Sequence, residues 1–379
     1  MGNRENRDET SITFTPPDAG TELPPFIVRA YRPGDATEAL RLLEECFPGR
    51  RDLDEWIWKF ERTATNRLIS FPVAESGGRL VGIYPGWILR LQMDEMVGLV
   101  MQPQDVCIHP NYRGGVILRA ILRSNKAISR AANIQFLFGF PTAEHFKAGV
   151  RMLGYMELFR LMVWRRPLTR GLRIQERLHS NLARRISYTL GSILHEFFFS
   201  WRKPVSAKAI QVTELHRFDE SVNRIWERVK SQVRFAFVKD AAYLTWRYLD
   251  RPGQMFKILG ATQNGRMDGY CVFRDTLVRP DGTRIGVLVD LMATDAESAR
   301  KLVETALAKM RAARCGYVIA LAHPSMITAP ILTNTGFYPD PHEETIIVSI
   351  KPYAANLDIQ ALQQPANWLL AYGDTDHVG

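Results

Sequence analysis

The chain has 379 residues, of which 46% are hydrophobic and 23% charged, a composition that excludes a mostly disordered protein. The sequence contains no run of 18 apolar residues, so it predicts no membrane-spanning helix. The four cysteines form no CxxC pair and are too few for a disulfide scaffold, which indicates a reducing, cytoplasmic environment. The eight histidines are scattered without metal-ligand spacing, and we predict no metal site.

Almost all of the formal net charge of +9 falls in one segment of the chain. Residues 160–204 carry ten basic and two acidic side chains, which gives this segment a charge of +8. Apolar residues recur every fourth position from Ile174 to Leu194, a spacing that predicts an amphipathic helix. Three interpretations stay open: a connector packed between lobes, an interfacial helix on an anionic membrane, and an RNA contact. The last is disfavoured because no recognisable RNA-binding module accompanies the charge.

The first half of the chain reads as alternating strands and helices. Residues 26–34 alternate as a first strand does, and Asp35 then caps an amphipathic helix. A Trp-rich helical stretch and several strand-like runs follow, and the loop NYRGGV leads into a helix over residues 117–131. A buried strand, a short helix that ends at Gly154 and one more strand complete this half.

The second half repeats the same plan. It runs through a strand, two helices, a group of strands, a helix from Asp295 to Gly316, and then strand, helix and strand. Landmark positions recur at offsets between 182 and 187 residues: Gly82, Pro141 and Gly154-Tyr155 correspond to Gly269, Pro324 and Gly336-Phe337. Two copies of one α/β unit of roughly 140 residues explain this recurrence.

The order of these elements resembles the Gcn5-related N-acetyltransferase (GNAT) superfamily. The most specific match is Asp105–Gly115 (DVCIHPNYRGG), which is similar to the family's fourth strand and the phosphate-binding loop after it. Gly139-Phe140-Pro141 and Leu153-Gly154-Tyr155 look like the fifth strand and the end of the fourth helix. The resemblance covers residues 26–166 by motif and 208–350 by pattern.

The resemblance implies an α/β (α+β) fold with two GNAT-like lobes, each a mixed, mostly antiparallel sheet flanked by helices. The predicted segments are a disordered arm (1–24), an N-terminal acyl-CoA-binding lobe (25–167), a basic amphipathic helical connector (168–204), a degenerate C-terminal lobe (205–352) and a tail (353–379). The tail residues Asp374, Asp376 and His377 are expected in a frayed terminus rather than in a metal site.

The implied cosubstrate is acetyl-CoA or another acyl-CoA. A glycine-bearing loop before a helix presents backbone N–H groups at the positive end of that helix, which suits a pyrophosphate. The residues predicted to hold the cosubstrate are Cys107, Ile108, His109, Arg113, Gly114, Gly115, Val116, Ile117 and Leu118. Val116 and Leu118 stand where the family loop has further glycines, so their β-carbons crowd the approach of the phosphates.

The helix after this loop carries a row of cations. Arg119, Arg123, Lys126 and Arg130 are spaced to share one face, either as a further phosphate contact or as an ordinary solvated surface. The matching junction of the second copy has no glycine, and Asp295 and Glu297 at its helix start would repel phosphate. We therefore expect the acyl donor in the N-terminal lobe and an acceptor-shaping role for the C-terminal lobe.

The implied reaction is direct attack of an amine on a thioester, which needs a base, a donor to the thioester oxygen and an acid for the thiolate. In the family a backbone N–H of the fourth strand is the oxygen donor, here near Cys107 or Ile108. In the family a tyrosine of the fourth helix often protonates the leaving thiolate. That tyrosine is absent here, because the positions that correspond to it hold Val150 and Arg151. The candidate catalytic residues are Asp105, Tyr112, Glu144 and His145.

Several candidates have structural alternatives. Asp105 and His109 lie four apart on a predicted strand and should share a face, so Asp105 is either a base or a carboxylate that orders a neighbour. Glu144 is either an acceptor-side base or an ordinary first-turn acid, and Cys107 is better explained as an inert buried thiol than as a nucleophile.

The predicted function is an acyl-CoA-dependent N-acyltransferase that moves an acyl group, expected to be acetyl, to a small-molecule amine such as an amino sugar or another cell-envelope precursor. The alternatives are a transferase that uses aminoacyl-tRNA or acyl carrier protein as donor, and a non-catalytic GNAT-fold binding protein. A cytoplasmic location with peripheral contact to an anionic membrane fits the basic connector, whereas nucleic acid is not the expected partner.

Overall fold

A computed structural model describes residues 12–14, 24–47, 49, 52–62, 70–168, 210–253 and 255–376. Most of the predicted arm and residues 169–204 of the predicted connector lie outside the described residues. None of the helices in the described ranges is both long and apolar enough to cross a membrane.

The described residues form a mixed α/β fold, as the sequence predicts. The helices are α1 (Ala36–Cys46), α2 (Leu53–Trp56), α3 (Val116–Ala131), α4 (Ala143–Leu153), α5 (Glu220–Val229), α6 (Ala241–Leu244), α7 (Ala296–Ala312), α8 (Ala329–Asn334) and α9 (Ile359–Leu362). The strands are β1 (Ile12–Phe14), β2 (Phe26–Ala30), β3 (Pro72–Ser76), β4 (Arg79–Ile83), β5 (Gly86–Met93), β6 (Met96–Pro103), β7 (Cys107–Ile108), β8 (Ile134–Gly139), β9 (Met156–Pro167), β10 (Gln211–Glu214), β11 (Phe235–Phe237), β12 (Lys257–Gln263), β13 (Arg266–Val278), β14 (Arg284–Ala293), β15 (Tyr317–Ala322), β16 (Tyr338–Pro339), β17 (Ile346–Pro352) and β18 (Trp368–Leu369).

The described residues divide into two compact units that interleave along the chain. The first unit takes its residues from Met1–Glu157, Trp246–Gly253 and Ser349–Ile359. The second unit takes its residues from Leu158–Thr245, Gln254–Val348 and Gln360–Gly379. Each unit therefore includes chain from both halves of the sequence, and the boundaries of contiguous lobes stay predictions.

The first unit contains two groups of strands. One is the antiparallel sheet β1-β2-β3-β4-β7. In the other, β5 and β6 form an antiparallel hairpin, β6 runs parallel to β8, and Ser349–Pro352 of β17 pair with β8. The chain leaves β6 and joins the other sheet as β7 through Gln104–Val106, where Asp105 adopts a φ of 50°.

The apolar face of α3 holds the first unit together. Ile117 and Ile121 of α3 are almost fully buried against residues of β2, β4, β5 and β8. Gly82 of β4 lies directly under this helix, because a β-carbon there would come within 2.8 Å of Ile121 Cδ1. The close approach of helix and strand therefore requires glycine at this position.

The second unit repeats this plan around α7. Strands β10, β12, β13 and β14 are antiparallel neighbours, β14 runs parallel to β15, and β9 pairs antiparallel with β15. A β-carbon on Gly269 would lie 3.0 Å from Leu302 of α7, as one on Gly82 would meet α3. Gly154 and Gly336 end their helices with φ of 69° and 83°. The matched surroundings support the internal repeat seen in the sequence.

The C-terminal segment of the second unit is ordered, which corrects one expectation. Asp374, expected in a frayed terminus, is 1% exposed, and its carboxylate lies 3.1 Å from Lys239 Nζ. Lys239 also donates to Asp290 Oδ1 at 2.8 Å, so one buried ammonium neutralises two carboxylates only in part. A sequence pattern near a terminus cannot reveal a partner that lies 135 residues away.

Candidate active site in the first unit

The predicted phosphate loop lies between β7 and α3. The 3-10 turn Pro110–Tyr112 follows β7, and Gly114 and Gly115 then adopt φ of 136° and 88° before α3 begins. Residues with a β-carbon rarely adopt these angles, so the two glycines allow the chain to swing from the strand into the helix. Arg113, predicted as a cosubstrate contact, lies exposed beside them.

The start of α3 has no side-chain cap, because its N-cap residue is Gly115. The first turn closes when the Arg119 N–H donates to the Gly115 carbonyl oxygen at 3.0 Å. The N–H groups of Val116, Ile117 and Leu118 precede this bond and have no acceptor within the helix. Such N–H groups, together with the positive end of the helix dipole, are favourable for an anion.

Cations surround and extend this helix start. The Arg119 guanidinium lies over Gly115, where a β-carbon would be 3.1 Å from Nη1. All four predicted cations of α3 are exposed, and the helix carries no acidic residue. The predicted basic face of α3 is therefore confirmed. Its residues, all on the solvent side of the helix, are Arg119, Arg123, Lys126 and Arg130.

The corresponding helix start in the second unit is filled by its own side chain. Asp295 caps α7 and accepts hydrogen bonds from the Glu297 N–H at 3.1 Å and the Ser298 N–H at 2.9 Å. The Ser298 hydroxyl also donates to this carboxylate at 2.8 Å. The sequence predicted repulsion of phosphate here, and the structure adds that Asp295 already uses the N–H groups.

The pairing of β7 with β4 shows which backbone N–H of β7 points away from β4. The His109 N–H donates to the Val81 carbonyl oxygen at 2.9 Å, so this pair is hydrogen-bonded. In an antiparallel ladder the next pair, Ile108 with Gly82, is not hydrogen-bonded, and its backbone groups point away from the partner strand. Since β7 is the last strand of its sheet, the Ile108 N–H points outward, whereas that of Cys107 points toward β4.

Asp105 and His109 do not share a partner, which corrects the expectation of a common strand face. Asp105 forms an ion pair of 2.6 Å with Lys59, whereas His109 Nε2 lies 3.4 Å from Glu45 Oε2. The reason is the left-handed backbone at Asp105, which breaks the alternation of side chains before β7 begins. Lys59 was missed because it is 46 residues away in sequence.

The other predicted catalytic residues are not brought together. The Tyr112 hydroxyl donates to Ser76 Oγ at 3.3 Å. Glu144 and His145 are exposed in the first turn of α4, and Thr142 caps that helix by accepting from the His145 N–H at 3.3 Å. Within the described ranges, no hydrogen bond or ion pair joins these side chains to Asp105.

A pair of phenols was missed by the sequence argument. The hydroxyls of Tyr84 and Tyr155 lie 3.0 Å apart, and burial raises the pKa of both. Burial also raises the pKa of Tyr353 to about 12, and its hydroxyl accepts from Asn125 Nδ2 at 3.3 Å. These phenols keep their protons at neutral pH. The only sequence signal was Tyr155, which lies in a motif of the resemblance.

Two tryptophans of the first unit, Trp58 and Trp246, come from the π-helical turns Ile57–Glu61 and Thr245–Leu249. The Trp58 indole donates to the Trp246 carbonyl oxygen at 2.7 Å, and the Trp246 indole donates back to the Trp58 carbonyl oxygen at 3.2 Å. Their rings are stacked with centroids 5.4 Å apart. This reciprocal contact joins equivalent tryptophans of the two sequence copies.

The comparisons with known proteins agree with this fold. Residues 27–155 match the family described as acetyltransferase (GNAT) domain. The chain is similar in structure to a GCN5-related N-acetyltransferase from Anabaena variabilis ATCC 29413, with a TM-score of 0.61 and 12% identity over 87% of this chain and 73% of that one. It is also similar to the GCN5-related N-acetyltransferase from Kribbella flavida, with a TM-score of 0.59 and 14% identity over 86% and 71%.

A third similar structure is Saccharomyces cerevisiae N-myristoyltransferase with bound myristoyl-CoA, with a TM-score of 0.53 and 12% identity over 92% of this chain and 86% of that one. Identities of this size establish the fold alone. No curated protein matches the chain significantly in sequence. The chain therefore shares the fold of the N-acyltransferases to which it is similar. The family match is confined to residues 27–155, about a third of the chain, and identifies an acetyltransferase (GNAT) domain there.

Proposed function

We propose that the first unit binds an acyl-CoA and transfers its acyl group, an acetyl group, to a small-molecule amine. The observation that carries this proposal is the contrast between the two helix starts. The N–H groups at the start of α3 are free of a side-chain cap and lie beside Arg119, whereas Asp295 occupies those of α7. The second unit is accordingly proposed to bind no donor.

The pyrophosphate of the donor is proposed to lie on the N–H groups of Val116, Ile117 and Leu118. The pantetheine arm then runs along β7 toward the open edge at Ile108. The Ile108 N–H is proposed to donate to the thioester oxygen as negative charge develops there. Cys107 supports this strand as a buried side chain and takes no part in the chemistry.

The transfer step forms one bond and breaks one. The amine nitrogen attacks the thioester carbon, a C–N bond forms, the C–S bond breaks, and the thiolate leaves with the electron pair of that bond. A base accepts the extra proton of the amine, and an acid protonates the thiolate. Asp105 is the proposed base because it lies two residues before β7, the strand that carries the Ile108 N–H. Tyr112, Glu144 and His145 stay alternatives, and the Tyr84–Tyr155 pair is a proposed proton donor.

The proposal is tested by measuring acetyl-CoA binding by isothermal titration calorimetry. The wild-type chain should bind one acetyl-CoA, and Arg119→Ala should weaken binding about tenfold, the effect of one lost charge-assisted contact. The matched control is Arg300→Ala in α7, which removes an exposed cation that pairs with Glu304 at 2.7 Å. The control should bind acetyl-CoA as the wild type does. Binding of two molecules per chain, or an equal loss in both variants, would contradict the proposal.

A further inference from the structure

Three buried side chains, on the β5–β6 hairpin or directly after it, carry polar atoms without a hydrogen-bond partner. Trp87, Gln102 and Gln104 are 2%, 1% and 3% exposed. Across the part of the chain that the structure describes, Trp87 Nε1, Gln102 Oε1 and both amide atoms of Gln104 meet no donor or acceptor. Folded proteins leave few such groups unpaired, and each one in a native structure calls for an explanation. We refer to these three side chains as the amide row.

The amide row occupies one face of the hairpin. Trp87 and Gln102 are directly opposite each other in the ladder, so their side chains project to the same side. The Gln104 N–H donates to the Pro85 carbonyl oxygen at 3.0 Å, which continues the ladder, and Gln104 follows Gln102 by two residues. Ile88 and Met101 point the other way, into the core under α3. The amide row therefore faces away from that core.

The surroundings of the amide row are aromatic and buried. The Trp87 ring meets Trp58 and Trp246 edge to face, with centroids 6.1 and 5.3 Å apart. The Arg247 guanidinium, whose residue is fully buried, lies 4.7 Å from the Trp87 ring centroid. In such a setting a hydrogen bond to a ligand is stronger than in water, and an unmade one is more costly.

The row ends at the proposed reaction centre. Gln104 directly precedes Asp105, and β7 with its outward Ile108 N–H follows two residues later. A chain selected for stability alone would gain from methionine or leucine at Gln102 and Gln104, because apolar replacements of similar shape remove the unpaired amides. The position and the missing partners together point to groups that are completed by a ligand.

We infer that the amide row binds an uncharged, hydroxyl-bearing part of the acyl acceptor, an inference that rests on the proposed function. The Trp87 indole and the Gln104 NH₂ donate, whereas the carbonyl oxygens of Gln102 and Gln104 accept. A matching ligand offers both acceptors and donors without charge, as neighbouring hydroxyls on a sugar ring do. The substrate class that this pattern selects is an amino sugar, rather than an amine with an apolar body.

The first test is the sign of the stability change in thermal unfolding. Gln102→Met and Gln104→Met should leave the Tm unchanged or raise it by about 2–4 °C, the shift that one relieved polar group produces in a domain of this size. The matched control is Gln92→Met in β5, because Gln92 is also buried in this hairpin but has a partner. The control should lower the Tm. Lower Tm values for Gln102→Met and Gln104→Met as well would mean that the amides are structural, and would overturn the inference.

The second test measures binding of glucosamine, galactosamine and mannosamine against cyclohexylamine by calorimetry. At least one hexosamine should bind about tenfold tighter than cyclohexylamine, and Gln104→Met should remove that advantage without changing cyclohexylamine binding. No preference for any hexosamine, or a preference that survives in Gln104→Met, would overturn the inference. Acetyl-CoA binding is measured on the same samples. Failure of acetyl-CoA to bind while the sugar preference holds would refute the donor proposal and leave the amide row intact.

Discussion

Replacing Gly115 with alanine tests whether the backbone at the start of α3 holds the donor. Gly115 has a φ of 88°, and an L-residue in this left-handed region is strained by about 1–2 kcal/mol. The new β-carbon would also lie 3.1 Å from Arg119 Nη1, so the guanidinium must shift. If the shift removes one charge-assisted hydrogen bond to the pyrophosphate, worth about 1.5–3 kcal/mol, acetyl-CoA binding weakens about 10- to 150-fold.

The matched control is Gly282→Ala in the turn between β13 and β14. Gly282 has a φ of 81°, and a β-carbon there would meet no atom within 4 Å, so alanine adds the same backbone strain away from the proposed donor site. Both variants should lose about 2–8 °C in Tm, and only Gly115→Ala should bind acetyl-CoA more weakly in calorimetry. Wild-type affinity in Gly115→Ala, or an equal loss of affinity in Gly282→Ala, would refute the reasoning.

Two further predictions concern stability. Burial raises the pKa of Asp374 to about 6, above its unfolded value near 4. The folded state therefore binds the proton more tightly, and its stability should fall by about 3 kcal/mol as pH rises from about 4 to 6. Asp374→Asn should remove that fall in urea unfolding at pH 4, 5, 6 and 7, and an unchanged pH slope would contradict the assignment. Trp58→Phe leaves the buried Trp246 carbonyl oxygen without its donor and should lower the free energy of unfolding by about 1–3 kcal/mol. Trp246→Phe should cost less, because the hydrogen bond that it removes is longer. Equal losses of the two variants in urea titrations would show that the length of the hydrogen bond does not decide the loss.

The features that could be predicted from the sequence are those set by neighbouring residues. Two adjacent glycines before a helix, or an aspartate at its start, act through contacts within four residues, so both helix starts were predicted correctly. The basic face of α3 follows from helical spacing alone. The internal repeat was visible because few other residue types can replace a glycine that packs under a helix or ends one.

The features that escaped prediction depend on distant pairing or on a single backbone angle. Nothing local shows that part of β17 pairs with β8 in the first unit, or that β9 pairs with β15 in the second. The left-handed backbone of Asp105 shifts the alternation of side chains along the chain. Aspartate adopts a positive φ too rarely for the sequence to predict it at this position. The amide row was missed because each glutamine reads as an ordinary polar residue of a strand.

The two units differ at the starts of their central helices, α3 and α7, and this difference bears on function. In the second unit the helix start is capped by Asp295, and the buried charges of Asp290 and Asp374 share Lys239. In the first unit α3 lacks a cap that is typically worth about 1 kcal/mol, and the amide row leaves polar atoms unpaired in the interior. The amide row ends at Gln104, four residues before Ile108, and the uncapped start of α3 follows β7 after one loop. Proteins deviate from local stability rules mainly where a ligand completes the structure, so the uncapped start of α3 and the amide row support the proposal that the chemistry lies in the first unit.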